Sequence, residues 1–390
     1  MSLNADITKA GVKVCSRCIY DERVSSIYFD DEGICNYCKQ IENLKVEYGT
    51  GKKEGEMLLS KIINAIKQAG KGKKYDCIIG VSGGVDSSYL VYLTKVKWGL
   101  RPLAVHYDNT WNSAIATMNI HKVLNRLNID LYTHVVDNKE ADDIIRSFFF
   151  SDVSEIDAAT DLGFAQVLRE VASKYSISAI FEGHSFNEEG ITALGGNYFD
   201  GRYIQSIHRQ YGRLPLRTYP LMTLMRFLKS AVLKRIKFIR PLWYLDYSKE
   251  HAKELLKKEF AWLDYGGHHL ENRISAFCTR VYQPRKFGID NRNLVLGALA
   301  RNGRISRSKA WAEYNKPPWV EDELVSYFKK RLELTDEKYE EVMRATPKNW
   351  KDYPTYKKHF EFLRPLFFIL AKANMVPMSF YLKYCFPIRD

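Results

Sequence analysis

The chain has 390 residues, 46% hydrophobic and 27% charged. That composition excludes a disordered polymer and leaves room for two or three domains with ample core. The formal net charge of +13 suits polyanions such as nucleotides, nucleotide-sugars, tRNA or an anionic membrane face.

A basic balance also arises from simple solubility, so charge alone selects no partner. Met1 to Val14 carries no apolar core of a secretory signal, and no uninterrupted apolar run is long enough to span a bilayer. Four of the seven cysteines form two Cys-x-x-Cys pairs. This is metal usage in a reducing cytosol rather than a disulfide framework, so a cytoplasmic location is expected.

Residues 1–50 hold Cys15-Ser16-Arg17-Cys18 and Cys35-Asn36-Tyr37-Cys38, with sixteen residues between the pairs. Each pair makes a knuckle that brings two thiolates to one ion, and four thiolates complete a tetrahedron. Cys15, Cys18, Cys35 and Cys38 are therefore the expected ligands of a structural zinc, with an iron–sulfur cluster or a redox dithiol as rivals. The Ile27–Gly33 stretch between the pairs reads as a short strand and turn. A module this small needs its metal to hold a core. Residues 51–73 read as an amphipathic helix on Met57, Leu58, Ile62, Ile63 and Ile66, closed by the basic linker Gly70-Lys71-Gly72-Lys73. They are expected to hinge the cysteine module to the domain that begins near Lys74.

From Tyr75 the pattern alternates strand and helix, the signature of a parallel doubly wound α/β sheet. Cys77–Val81 is a short apolar run of a buried parallel strand. Ser82-Gly83-Gly84 breaks it, and Asp86-Ser87-Ser88 is expected to cap a helix carrying Tyr89, Leu90, Leu93 and Val96. A glycine-rich strand-to-helix turn points free amides and the positive helix end at one place, which suits phosphate. Ser82, Ser87 and Ser88 add hydroxyl donors, and Asp86 can hold the magnesium that accompanies a polyphosphate. Neither a Walker A loop nor a Gly-x-Gly-x-x-Gly dinucleotide loop fits these residues.

Further strands are expected at Leu103–Tyr107, ending at Asp108-Asn109, at Leu131–Val136, ending at Asp137, and at Ser178–Phe181, leading into Glu182-Gly183-His184-Ser185-Phe186-Asn187-Glu188-Glu189. Helices are expected over Ala114–Leu127 and from about Gly163 to Tyr175. Ligands of open α/β sheets bind beyond the carboxyl ends of the strands, so Ser82, Asp108, Asp137 and Glu182-Gly183-His184 should surround one crevice.

The alternation stops over residues 190–245. Gly195-Gly196-Asn197-Tyr198 reads as a loop. Leu221–Ile239, apolar with interleaved Arg226, Lys229, Lys234, Arg235 and Lys237, reads as a basic amphipathic helix pair. It suits either a helical insertion with solvated lysines or a peripheral contact with a membrane or polyanion. Residues 246–345 read as helical, with polar loops at 264–273 and 284–290. Residues 346–390 are aromatic-rich, interrupted by Pro365 and Pro377, and by default dock on the protein itself.

Ser-Gly-Gly-x-Asp-Ser resembles the pyrophosphate loop of the PP-loop ATP pyrophosphatases, which cleave ATP to AMP and pyrophosphate and adenylate a carbonyl-type oxygen. The likeness implies a PP-loop (adenine nucleotide alpha hydrolase-like) domain over 74–245 with a helical insertion. It implies ATP contacts at Ser82, Gly83, Gly84, Val85, Asp86, Ser87 and Ser88, with Asp108, Gly183 and His184 nearby. Over roughly residues 10–315 the chain is also similar to the N-acetyl sugar amidotransferases of bacterial surface-polysaccharide synthesis, the WbpG-like group. The residues carrying this are the Cys-x-x-Cys pairs, Asp108–Ser113, Glu182–Ser185, Tyr265-Gly266-Gly267-His268-His269-Leu270-Glu271 and Lys286-Phe287-Gly288-Ile289-Asp290.

That resemblance implies conversion of the acetamido group of a nucleotide-linked N-acetyl sugar to an acetamidino group, for lipopolysaccharide O-antigen synthesis. ATP, Mg2+ and Zn2+ are the implied cofactors. Asp86, His184 and His268 are the implied catalytic residues, with His269, Glu271, Arg273 and Lys286 on the substrate side. Two adjacent histidines cannot share one helix face, so at most one of His268 and His269 is expected to face substrate. The implied partners are a glutaminase and a cyclase-like barrel subunit that together supply ammonia; no nucleic acid is expected. PP-loop tRNA thiolation is the rival enzyme reading, for which Cys77 and Cys278 are the remaining nearby thiols. A zinc-ribbon scaffold with a vestigial loop is the non-enzyme reading.

Overall fold

A computed structural model describes residues 11–191, 198–267, 270–373, 375–376 and 378–387. The expected loop at 195–197 and both His268 and His269 lie outside the described residues.

The four cysteines are followed by α1 (Asn36–Tyr48) and α2 (Lys53–Ala69). Leu59, Ile63 and Ile66 of α2 turn into the core at the i, i+4, i+7 spacing of one helix face. The sheet then forms from β1 (Cys77–Gly80), α3 (Val85–Tyr92), β2 (Pro102–Asp108), α4 (Ala114–Leu127), β3 (Leu131–Val135), α5 (Asn138–Phe150), α6 (Ala158–Lys174) and β4 (Ala179–Phe181). All pairings are parallel, in the order β3-β2-β1-β4-β5. β1 and most of β2 are buried, as strands covered by helices on both faces must be. The chain winds outward from β1 through β2 and β3, then returns to place β4 on the other side of β1. The switch point therefore lies between β1 and β4, where the crevice of such a sheet opens.

The fifth strand departs from expectation. The Leu221–Ile239 stretch is not a helix pair. It is one short helix, α9 (Leu224–Leu228), with a wider turn to Leu233, and then β5 (Lys237–Ile239), which extends the sheet at the edge of β4. Three residues headed by a lysine carry too little alternation to declare a strand; pairing with β4 supplies it. Between β4 and β5 lie α7 (Phe186–Glu189) and α8 (Gly201–Tyr211). Two other boundaries move. α6 starts at Ala158, taking in Thr160 and Asp161, and α3 is entered from Gly84, so Asp86 sits in its first turn rather than at its cap.

The remainder is helical: α10 (Lys249–Phe260), α11 (Arg273–Phe277), α12 (Arg292–Arg301), α13 (Arg307–Asn315), α14 (Leu324–Arg331), α15 (Asp336–Arg344), α16 (Lys357–Phe362), α17 (Arg364–Lys372) and α18 (Met378–Tyr384). A dense joint ties this part to the sheet. Trp111, fully buried after β2, donates from its indole to Asp142 at 2.8 Å. Arg331 of α14 stacks over the Trp111 ring at 4.1 Å, pairs with Asp142 at 2.9 Å and donates to the Thr110 carbonyl. A planar cation sandwiched on an indole and satisfied by a carboxylate holds both chain segments in one orientation. The last helices pack on α9 around Phe227, Ala231, Phe360, Phe367 and Leu370.

Candidate active site

The loop after β1 is built by its own hydroxyls. Ser82 Oγ accepts from the Gly84 amide at 3.3 Å, and Ser87 Oγ accepts from the Ser82 amide and donates to the Gly84 carbonyl, each at 3.4 Å. Gly83 has φ +80°, and a Cβ there would stand 2.1 Å from the Ala116 carbonyl oxygen of α4. Glycine is required on both counts. The Gly83 carbonyl accepts from the Trp262 indole at 3.1 Å and from Asn119 at 3.4 Å, which anchors the loop to α4 and to the segment after α10. Val85 is buried beneath the turn and Ser88 is nearly so.

The loop after β4 closes on this turn. A Cβ on Gly183 would lie 3.0 Å from the backbone of Asp86 and Ser87, so Gly183 lets the two strand ends touch. The next residue, His184, accepts the Trp243 indole proton on Nδ1 at 3.1 Å. That bond assigns its proton to Nε2, which lies 4.0 Å from Glu189. Burial holds His184 below the ordinary imidazole value, with Glu189 opposing, so it is a neutral N–H donor at pH 7. Glu182, the first residue of this loop, pairs with Arg240 at 2.8 Å.

Lys249, the first residue of α10, reaches Asp86 at 2.8 Å and Glu189 at 3.2 Å. Tyr247 donates to the other Asp86 oxygen at 2.6 Å. Burial raises the Asp86 carboxyl, with Lys249 pulling against it. Burial works against the Lys249 charge but is outweighed by Asp86 and Glu189, so the ammonium stays protonated. Lys249, Tyr247 and Trp243 carried no sequence signal, because nothing local marks them; the first two come from a segment read only as helical, and Trp243 from the stretch where the alternation stops. An acid in the first turn after a phosphate loop implies a cationic partner, but not which one.

The other expected residues divide. Asp108 accepts from the Thr110 amide at 2.8 Å and Asn112 at 3.2 Å, shaping the turn after β2. Asp137 caps α5 through the Lys139 and Glu140 amides and is held there. Glu271 comes to the loop: a methyl on Gly84 would lie 3.1 Å from the Tyr265 hydroxyl and 3.4 Å from a Glu271 carboxylate oxygen. Its carbonyl accepts from the Ser113 amide at 2.8 Å, and Asn272 bonds Asn109 and Asn112 at 2.9 and 3.0 Å. Arg273 instead pairs with Glu321 at 3.0 Å and stacks on Tyr327. Lys286 is withdrawn from any substrate-side position. Its side chain is 1% exposed, bonded to Asp152 at 2.5 Å and to the Val342 carbonyl. An apolar stem and a buried carboxylate take it into the core.

A second centre is the four-cysteine module, whose Tyr20 hydroxyl approaches Gly190 at the end of α7. The ligand atoms of Cys15, Cys18, Cys35 and Cys38 all lie within 4.8 Å of one another and are buried. Amides of Arg17, Cys18 and Cys35 point at Cys15 Sγ, and that of Tyr20 at Cys18 Sγ. Arg301 of α12, 6% exposed, donates from Nε to Cys38 Sγ at 3.2 Å. Its Nη1 and Nη2 have no hydrogen-bond acceptor among the described residues. A buried cation so poorly compensated by neutral thiols suits four thiolates around a divalent ion, whose sum is doubly negative. The four cysteines thus fit a tetrahedral thiolate metal site.

A five-stranded parallel sheet with a Ser-Gly-Gly-Val-Asp-Ser turn at its switch point, preceded by a four-cysteine module, is the architecture expected of a doubly wound α/β phosphate-loop domain. Residues 271–366 match the family described as LPS biosynthesis protein WbpG-like, C-terminal domain. The chain is 24% identical over 306 residues to an uncharacterized protein, MJ1599, of Methanocaldococcus jannaschii, covering 78% of this chain and 93% of that one. Among solved structures it is similar to the NH3-dependent NAD synthetase of Campylobacter jejuni (13% identity, 68% of this chain and 99% of that one, TM-score 0.29). It is also similar to the tRNA thiolase NcsA of Methanococcus maripaludis with its [4Fe-4S] cluster (14% identity, 75% and 89%, TM-score 0.30).

Proposed function

We propose that the protein is an ATP-dependent, AMP- and pyrophosphate-forming amidotransferase acting on the acetamido group of a nucleotide-linked N-acetyl sugar. The observation that carries this is the meeting of the phosphate-type loop with Glu271, where the WbpG-like segment begins.

The acetamido oxygen attacks the α-phosphorus of ATP and pyrophosphate leaves, giving an O-adenylated imidate. Ammonia then adds to the imidate carbon, AMP departs with the oxygen, and loss of a proton leaves the acetamidine. The loop amides and the hydroxyls of Ser82, Ser87 and Ser88 hold the departing pyrophosphate, where fixed dipoles stabilise developing charge without reorganising. Neutral His184 offers its Nε2–H beside the same turn, suited to an α-phosphate oxygen. Lys249 places a positive charge there. Tyr265 and Glu271 stand at the mouth of the loop, on the side left for the sugar. Magnesium would be held at Asp86 with the nucleotide, in competition with Lys249 for that carboxylate, and would supply charge neutralisation of the phosphates. Zinc at the four cysteines would be structural, since all four positions are filled by protein.

All seven cysteines are buried. Cys278 is fully buried and its thiol bonds the Ser154 carbonyl at 3.6 Å, while Cys77 lies inside β1. That weighs against a cysteine of the nucleotide domain carrying sulfur to tRNA or acting as a glutaminase nucleophile; a separate glutaminase with its barrel subunit as the ammonia source rests on the family resemblance.

The test supplies ATP, ammonium and a panel of N-acetylated nucleotide-sugars. The expected product is a sugar lighter by the difference between O and NH, with one AMP per product. AMP release with tRNA and a sulfur donor, and none with any sugar, would overturn the reading.

A further inference from the structure

We propose that α9 and the C-terminal helices α16–α18 form a docking surface for an anionic phospholipid membrane. The two segments share one core, in which Phe227 stacks on Phe380 at 5.0 Å and Phe360 meets Phe367 at 5.3 Å. Their inner faces are therefore already satisfied. Yet their outer faces are also apolar. Phe362, the last residue of α16, is 85% exposed, and on α17 Leu366 and Ile369, three apart on one helix face, are 42% and 64% exposed. On α9 and the turn after it, Met225 and Leu233 are 75% and 73% exposed.

A helix that is apolar on every side belongs in a buried place. Among the described residues nothing covers these side chains. Scattered exposed apolar residues need no explanation; a group of them backed by a second one does.

Charge selects the occupant. From Leu221 to Arg240 stand six basic residues and no acidic one, Arg240 being paired with Glu182, and from Lys357 to Pro387 five lysines and arginines, of which Lys357 is buried, against Glu361 alone. Lys229, Lys234 and Arg235 are exposed beside Leu233, and Arg364 and Lys372 on α17 with Leu366 and Ile369. Apolar side chains interleaved with lysine and arginine suit a surface that is apolar beneath and anionic above. A second copy of this chain would bring like charges together. No helix of the described residues is long and apolar enough to cross a membrane, so contact would be from one side.

The test is co-sedimentation of the full chain with vesicles of phosphatidylcholine alone and of phosphatidylcholine with phosphatidylglycerol. Binding is expected only to the anionic vesicles, and is expected to weaken as salt rises. The double variant Phe362→Ser/Ile369→Ser should lower the partition at least about tenfold with an unchanged melting temperature, because the lost groups are exposed in the free protein. A second variant, Lys229→Glu/Lys234→Glu/Arg235→Glu, should do the same without touching an apolar group. Failure to bind anionic vesicles, or equal binding by parent and variants, overturns the proposal. So does a concentration-dependent dimer that Phe362→Ser/Ile369→Ser abolishes without lipid.

Discussion

Lys249 lies 2.8 Å from Asp86 and 3.2 Å from Glu189, so a single ammonium joins the phosphate-type loop, the loop after β4 and the start of α10. These three groups are mostly buried, with side chains 12–18% exposed. Removing the cation leaves two carboxylates facing each other. Lys249→Met should cost about 2–3 kcal/mol of stability, seen as a lower midpoint in denaturant, because an uncompensated buried charge is worse than no pair. Glu189→Gln on that background should recover part of the loss. Additive effects in this double-mutant cycle would show that the ion pair is not what holds the three segments.

Asp86→Asn keeps the shape and the Tyr247 contact but removes the charge. Under the proposed chemistry AMP formation should fall about a hundredfold while the chain still unfolds cooperatively. Unchanged turnover in steady-state kinetics would remove Asp86 from the phosphate machinery.

Gly83→Ala tests the turn itself. The position needs φ +80°, and its Cβ would collide with the Ala116 carbonyl. Shifting the loop should cost about 1–3 kcal/mol and raise the Kd for ATP in titration calorimetry. An alanine chain with parental ATP affinity would mean that the nucleotide does not sit on this turn.

His184 makes a pH prediction. Its folded-state value lies below the ordinary imidazole value because burial disfavours the charge. The unfolded chain therefore binds the proton more readily, so stability is full above the ordinary value near 6.5 and is lost as pH falls through the depressed one. Urea midpoints measured from pH 7.5 down to pH 5 should fall less in His184→Gln than in the parent. His106 is depressed for the same reason and is present in both chains, so only the difference reports on His184.

The four-cysteine centre should carry one divalent metal per chain. Arg301→Gln, with the ligands intact, should weaken that metal about tenfold to a hundredfold in a competition with a chromophoric chelator, as outer partners of metal ligands do. Equal affinity in both chains would show that the guanidinium does not answer the thiolate charge.

The features legible along the chain were those written in neighbouring residues. The Ser82–Ser88 turn, the alternation of strand and helix through Phe181 and the two Cys-x-x-Cys knuckles all depend on local periodicity, turn chemistry or short spacing. Their elements stand in the structure within a few residues of the expected places. Other features depend on packing. β5 is too short to announce itself and exists because β4 offers it a partner. Lys286, a basic residue in a polar loop, was open to either a ligand's phosphates or a solvated surface, and the core took it instead.

By itself the sequence determined the alternation of strand and helix, the phosphate-type turn and the two Cys-x-x-Cys knuckles, because each is set by residues a few positions apart. Only the tertiary structure decided which charges meet. It brought Lys249 to Asp86, Arg301 to Cys38 and Glu271 to Gly84 across long stretches of chain. A buried charge must find an opposite charge or a donor, and which one it finds depends on how helices stack rather than on what stands beside it in the chain.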